Sequence, residues 1–457
     1  MRRYRLLASS IGVTCAAALA LPAALLTTAV ASDRAAPEAP APVPGNTQSL
    51  PLVPRGDDRA SGAPEQGLSR RDVRSFSLLG VVWDDPDTEL LGRVQVRTRA
   101  TGTTRWTGWQ NVETHNHGHA ADPDTAERAS GRVRGSTAPL WVGESDGVEV
   151  RVRAEARGRT GASGVQMLPN GLRLELVDPG GFAEAAGTSG PKGKGAPEPP
   201  GTAPADTPRL GALTAESAAA SAVNADLAPL GAAEIPALSR RETAEQVVGL
   251  EPGAKPYIGP RPRIVTRRGW GADEKLRERD FRYTTRVSAA FVHHTASGNN
   301  YTCAQAPSVI RSIYRYHVVS SGWRDIGYNF LIDKCGNIYE GRAGGVAKPV
   351  MGAHTLGFNT NSMGIAVIGS FSTSKPAGAA VKAIAQLTAW KLGLYRADPL
   401  GKTYLTSGGG NLYRKGKKVR LNVISGHRDG FATDCPGKRL YGKLGAVRSE
   451  AARYQGR

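Results

Sequence analysis

Apolar and polar residues alternate with period two over three separate runs: Val94, Val96 and Thr98; Val148, Val150 and Val152; Leu172, Leu174 and Leu176. Successive side chains of a strand point to opposite faces, so each run predicts a strand with one buried face. Gly, Asp and Pro separate the runs, as in Asp84-Asp85-Pro86-Asp87 and Glu144-Ser145-Asp146-Gly147. No long helical pattern intervenes, so residues 67–180 read as an all-β, antiparallel sandwich. From residue 261 the pattern changes. SAAFVHHT reads as a strand ending at His293 and His294, while Val309, Ile310, Ile313 and His317 recur at helical spacing. YNFLIDKCGNIYEGR reads as two strands about a turn at Asp333 to Asn337, SMGIAVIGSF as a buried strand, and VRLNVISGH as another. Val381, Ile384, Thr388 and Leu392 predict a helix, and after Pro436 so do Leu440, Leu444, Val447 and Ala451. Residues 261–457 therefore read as an α/β domain, a mixed sheet flanked by helices.

Composition separates these blocks. Residues 32–66 are rich in Ala, Pro, Gly and charge, and residues 181–260 in Gly, Ala and Pro. Both have too few large apolar side chains to offset the entropy of ordering, which predicts flexible linkers. Residues 1–31 have the make-up of a secretory signal peptide: Arg2, Arg3 and Arg5, then no charge until Asp33, with Ala29-Val30-Ala31 as a cleavage site. The uncharged run is long enough to span a bilayer as an uncleaved anchor; Pro22, the many alanines and the A-x-A site favour cleavage. No later run approaches a spanning length, so the expected product is secreted, free of the membrane and able to associate with the cell wall. Of the 4 Cys, Cys15 leaves with the signal peptide, and the remainder are too few for a disulfide scaffold.

The net charge of +19 is unevenly placed. From Lys255 onward there are 33 basic and 11 acidic residues, a net +22, whereas residues 32–254 carry 23 basic and 29 acidic. The positive field belongs to the α/β domain and predicts an anionic partner, either nucleic acid or a bacterial wall bearing carboxylates and phosphates. The run RKGKK at 414–418 has no nucleic-acid motif around it. With an extracytoplasmic location, this excludes a specific nucleic-acid partner from the expectation and leaves anionic wall polymers.

Five of the 8 His lie in the α/β domain. His293 or His294 at one strand end, His427 in SGHRDGFATDCPG and Cys435 eight residues later offer two imidazoles and a thiolate, a tetrahedral zinc site with one open position. Such a site supplies a water-derived nucleophile for an amide carbonyl without a Ser or Cys nucleophile. A second cluster, His115, His117 and His119, alternates in a Gly- and Asp-rich stretch; nothing nearby supplies a shaped site, so a solvated loop is expected there. Trp83, Trp106, Trp109 and Trp141 are expected to fill the sandwich core rather than stack on sugars.

The stretches WGA at Trp270, FVHHTAS at 291–297, GWRDIGYNFLID at 322–333, YEGR at 339–342, GAH at 352–354, FNTNSMGIAVIGSF at 358–371 and SGHRDGFATDCPG at 425–437 resemble the peptidoglycan recognition proteins, which share a fold with phage-type N-acetylmuramoyl-L-alanine amidases. The resemblance runs from about Pro262 to Tyr441 and leaves the sandwich uncovered. It implies a groove over a zinc ion held by His293, His427 and Cys435, with Tyr328 as the catalytic tyrosine and Thr433 assisting. It selects His293 over His294. His317, Arg342, His354 and Asn359 match positions that bind substrate or shape the groove, and Asp429 is a candidate to orient His427. Family members lacking the cysteine bind the wall without cutting it, so Cys435 points to a zinc amidase acting on peptidoglycan; the alternative is a non-catalytic binding module. Two features depart from the family. Cys303 and Cys335 are not at the usual cysteine positions, and their pairing is expected only because a secreted chain favours it. The segment AGGVAKPVM after Arg342 is longer than the usual link.

Overall fold

The structure, a computed structural model, describes residues 42–55, 64–114, 116–155, 167–182, 212–250 and 257–457. The expected signal peptide lies outside them. In the first half, β1 (Asn46–Pro51), β2 (Glu65–Trp83), β3 (Gly92–Ala100), β4 (Gln110–Val112), β5 (Leu140–Ala154) and β6 (Arg173–Asp178) form an antiparallel sheet in the order β1-β6-β2-β5-β3-β4. Register shifts after Leu68, Asp72 and Phe76 bend β2 from its pairing with β5 onto β6, and such bulges add twist. The sheet closes over a core of Val94, Val96, Val148, Val150, Val152, Leu172, Leu174 and Leu176, the residues whose alternation predicts it. Trp83 joins that core. Trp106 and Trp109 do not: they are half-buried beneath Arg70 and Arg99, and beneath Arg97 and Arg151.

Among the described residues, both stretches expected as linkers contain regular elements. β1 lies in the first. The second contains α1 (Ala215–Ala222), β7 (Glu234–Ile235) and α2 (Arg240–Leu250). Ala-rich composition hides a strong helix former, and the turn chemistry is explicit. Thr214 caps α1 through the Ser217 amide, and Ser239 and Glu242 cap α2 reciprocally. Leu227, Ala228 and Ile235 pack into the core of the α/β domain.

That domain continues with β8 (Ile264–Val265), β9 (Ala289–His294), α3 (Ala306–Arg315), β10 (Phe330–Ile332), β11 (Ile338–Glu340), β12 (Ser362–Val367), α4 (Gly378–Gly393), β13 (Lys402–Thr406), β14 (Lys418–Asn422), β15 (Ile424–Gly426) and α5 (Leu444–Gln455). The mixed sheet has the order β7-β8-β11-β10-β12-β9-β15. Its pleat sorts the side chains: Phe330, Ile332, Ile365 and Val367 face α4 and α5, while Leu331 and Ala366 face α3. The strand expected over VRLNVISGH breaks at Val423, so that β14 pairs with β13 in a separate ribbon and β15 enters the central sheet. Cys303 and Cys335 form a disulfide joining the start of α3 to the β10–β11 turn.

The two domains share a core. Leu78, Val82, Trp141 and Val177 of the sandwich pack with Val309, Ile310 and Ile313 of α3 and with Tyr316, which follows it on a π-helical turn, Tyr316–Ser320. The Tyr316 hydroxyl lies 3.2 Å from the Thr137 carbonyl. Gly80 lines this contact, and a Cβ there would overlap the Tyr316 ring. Gly80→Val is therefore expected to cost about 1–3 kcal/mol by overpacking, read as a lower urea midpoint and faster proteolysis between the domains. An unchanged midpoint would show that the interface is not packed as described.

Candidate metal centre

β9 is buried along its whole length between two parallel neighbours, β12 and β15. Its pleat therefore sends His293 and His294 to opposite faces. The His294 ring receives the Phe371 amide at 3.4 Å, and its own backbone amide donates to Cys435 Sγ at 3.4 Å. His293 points into a cluster. β15 ends at Gly426, and His427 opens the tight turn His427–Asp429. The loop returns to bring in Cys435, whose amide donates to Thr433 Oγ1 at 3.2 Å.

A fourth donor arrives from the sandwich. His119 Nε2 lies 3.3 Å from His293 Nδ1 and 3.6 Å from Cys435 Sγ, which is itself 3.8 Å from His293 Nδ1. All four donors, with His427, fall within 4.8 Å of one another. A tetrahedral ion bonded at about 2.0–2.1 Å to nitrogen and about 2.3 Å to sulfur needs donor separations of about 3.3–3.6 Å. The His119–His293 and His119–Cys435 separations fall in that range, and the Cys435–His293 separation of 3.8 Å is slightly wider. His427 Nδ1 is buried with no hydrogen-bond partner, while its Nε2 lies 3.2 Å from the Gly118 carbonyl, the arrangement that frees one ring nitrogen for a metal.

Electrostatics agrees. Burial, then the neighbouring imidazoles, hold His293 and His427 well below the ordinary histidine range, and burial takes His119 down to about 3. All three are neutral at pH 7, as ligation requires. Burial pushes the Cys435 thiol up, so a cation in the cluster is what would keep it a thiolate. Tyr328 lies beside the cluster, its ring 5.6 Å from that of His293. Burial and then Cys435 hold its phenol well above 10, so it keeps its proton.

Of the remaining sequence-predicted residues, His317, Arg342, His354 and Asn359 are all buried. His317 stacks 4.3 Å from Trp323 and accepts the Gly327 amide. His354 lies 3.0 Å from Thr355 Oγ1 and 3.3 Å from His293 Nε2. Arg342 donates two hydrogen bonds of 2.9 Å to Glu127, and the Asn359 amide group donates to the Ala120 carbonyl and to Asp122. Asp429 does not orient His427. It accepts from the Gly426 amide and the Tyr441 hydroxyl, which fixes the turn instead. The solvated loop expected around His117 and His119 is also corrected: residues 116–127 lie in the groove of the α/β domain, with His119 at 7% exposure. His115 is outside the described residues. The residues at the site that sequence reasoning left out are thus His119, Asp122 and Glu127.

Residues 283–438 match the family model described as N-acetylmuramoyl-L-alanine amidase, and residues 32–173 match one described as Rv3811 N-terminal galactose-binding domain-like. Over 181 residues the chain is 33% identical to Peptidoglycan-recognition protein SC2 of Drosophila simulans, covering 40% of this chain and 84% of that protein. The chain belongs to the peptidoglycan recognition protein family. It is also 30% identical over 219 residues to N-acetylmuramoyl-L-alanine amidase of Homo sapiens, covering 46% of this chain and 31% of the human protein. Among solved structures, wild-type Drosophila PGRP-LB aligns over 40% of this chain and 92% of its own, at 27% identity and a TM-score of 0.32. The two family-model matches make the α/β domain an amidase-family domain and the sandwich a galactose-binding-like one.

Titration of the metal-free protein with Co2+ is expected to saturate at about one ion per chain, with the near-ultraviolet absorption of a cobalt–thiolate bond. Cys435→Ser should lose that band. Excess metal at about 100 times its Kd should stabilise the wild type by about 2.7 kcal/mol. A cobalt spectrum without thiolate character in the wild type would remove Cys435 from the cluster.

Proposed function

We propose that the chain is a secreted, zinc-dependent N-acetylmuramoyl-L-alanine amidase that hydrolyses the amide between the lactyl group of N-acetylmuramic acid and L-alanine in peptidoglycan. The observation that carries this reading is the convergence of His293 Nδ1, His427 and Cys435 Sγ in a buried cluster beside a protonated tyrosine. Further support comes from the family membership, the resemblance of its human relative's name to the proposed reaction, the disulfide, and the signal-like residues 1–31. The excess positive charge of the domain suits anionic wall polymers.

His293, His427 and Cys435 would hold the zinc. The chemistry a bound zinc supplies is polarisation of the scissile carbonyl and acidification of water. Tyr328, kept protonated by burial, acts as a hydrogen-bond donor where negative charge develops on the carbonyl oxygen. Thr433 acts through the Cys435 amide and so positions the sulfur. Arg342 and Asn359 present donors suited to the carboxylates and carbonyls of a stem peptide. His317 and His354, whose titration burial lowers to about 3 so that both are neutral at pH 7, are already hydrogen-bonded and shape the groove wall.

Incubation with purified peptidoglycan is expected to release stem peptides with a new L-alanine amino terminus, lost on chelation and restored by zinc. Tyr328→Phe should lower kcat by about 10²-fold or more with little change in KM, and Cys435→Ala should abolish release in a folded protein. Retained activity in Cys435→Ala would overturn the zinc assignment. Saturable binding with no released peptide from the wild type and from His119→Ala alike would make the chain a recognition module.

A further inference from the structure

Catalytic zinc sites keep one position open, whereas structural sites fill all four with protein. Here the fourth donor belongs to the other domain. His119 lies on the connection 113–139 between β4 and β5, whose described residues carry only the single turn Arg128–Ser130 and the two-residue strand Gly135–Ser136. A connection of that length is uncommon in a compact domain, and this one is packed rather than solvated.

The same connection fills the groove beyond the metal cluster. The Gly118 carbonyl accepts the Leu356 amide at 2.9 Å, and Asp122 accepts the Gly357 amide and the Asn359 side chain, both at 2.7 Å. Glu127 pairs with Arg342 and accepts the Arg324 amide at 3.2 Å. The fit is close enough that a Cβ on Gly118 would stand 2.6 Å from Phe431 Cδ1 and 2.9 Å from His427 Nε2. One imidazole and two carboxylates thus occupy the fourth metal position and the two donors assigned above to substrate.

We propose that residues 116–127 are an internal latch: His119 closes the fourth coordination position while Asp122 and Glu127 hold Asn359 and Arg342, so the chain is latent until the segment withdraws. This rests on the amidase reading of the same site. Two features make the latch removable. The group beside the His119 ring that could anchor it is the Asn116 carbonyl, which lies on the same segment and would withdraw with it. The sandwich itself is held elsewhere, by Leu78, Val82, Trp141 and Val177, so the connection can leave without undocking the domain. A ligand bearing carboxylates competes with Asp122 and Glu127 for the same donors.

The test uses the full chain loaded with Co2+, as wild type, His119→Ala and Asp122→Ala, each checked for folding by circular dichroism, with acetohydroxamate as the probe of an open metal position. The wild-type spectrum should ignore the probe and both variants should respond. His119→Ala should bind Co2+ at least about tenfold more weakly. Both variants should release peptide from peptidoglycan at least about tenfold faster than wild type, in proportion to the open fraction. The latch is overturned if the probe shifts the wild type as readily as the variants, if His119→Ala leaves the cobalt spectrum unchanged, or if wild type cleaves as fast as both variants. Probe responses as expected with no peptide released by any of the three would leave the latch standing and remove the amidase reading. Asp122→Ala keeps all four metal donors, so it decides the matter if His119→Ala does not fold.

Discussion

Everything at the candidate metal centre that the α/β domain does not itself provide depends on an apolar contact made outside the cluster. Leu78, Val82, Trp141 and Val177 of the sandwich are sealed against Val309, Ile310, Ile313 and Tyr316. Burial of side chains of this size is worth about 1.5–3 kcal/mol each, so the domains are held as one body rather than joined by a tether. That contact also sets the ends of the connection carrying His119. On its return limb the Arg134 amide donates to the Ser321 carbonyl, and the Trp141 amide donates to that of Ser297. The π-helical turn that presents Tyr316 to the sandwich presents His317 to the groove, with its ring 5.7 Å from that of Tyr328. Interface and site share a few residues of backbone.

Much of this was legible in the sequence, for identifiable reasons. Period-two runs mark β3, β5 and β6 because one face of each is buried in a single core. His293, His427 and Cys435 are legible because ligand chemistry restricts residue types, and because the family resemblance selects His293 over its neighbour His294. His119 is not legible from local signals. Its partners lie 174 and 316 positions away, and a histidine in a Gly- and Asp-rich loop looks the same whether it meets solvent or a distant domain. The alternation of His115, His117 and His119 was the available signal. The capping chemistry of α2 was visible as Ser239-x-x-Glu242, but composition outweighed it in a stretch rich in Ala, Gly and Pro. Asp429 illustrates the opposite error: adjacency in sequence suggested a contact with His427 that the turn geometry directs to Gly426 and Tyr441 instead.

The charge asymmetry of the chain has an internal consequence. Residues 32–254 carry a negative excess and the remainder a strong positive one, which on sequence grounds implies an outside anionic partner. Part of that partner is the chain itself. Asp122, Asp124 and Glu127 lie on the basic domain, and Asp124 pairs with Lys415, within the RKGKK run, at 2.5 Å. These contacts are not equivalent in energy. The Asp124–Lys415 pair has both side chains 66% exposed, and such pairs contribute about 0–1 kcal/mol. The Glu127–Arg342 pair has both side chains 5% exposed. Removing one partner of a buried pair typically costs about 3–5 kcal/mol, because the other charge is stranded away from water.

That penalty governs how the groove can open. If Glu127 left while the rest of 116–127 stayed in place, Arg342 would be buried without its counter-charge, an expensive state. If the whole segment lifts, water reaches Arg342, Asn359 and the fourth donor position together, and the penalty falls to breaking hydrogen bonds that water can replace and exposing the apolar contacts of Ala120 and Ala121. Opening is therefore favoured as a cooperative event over piecemeal loosening, with His119, Asp122 and Glu127 released together. An incoming carboxylate lowers the cost further, since it restores the counter-charge on Arg342 as the groove refills. The buried ion pair thus ties the state of the metal position to the occupancy of the groove.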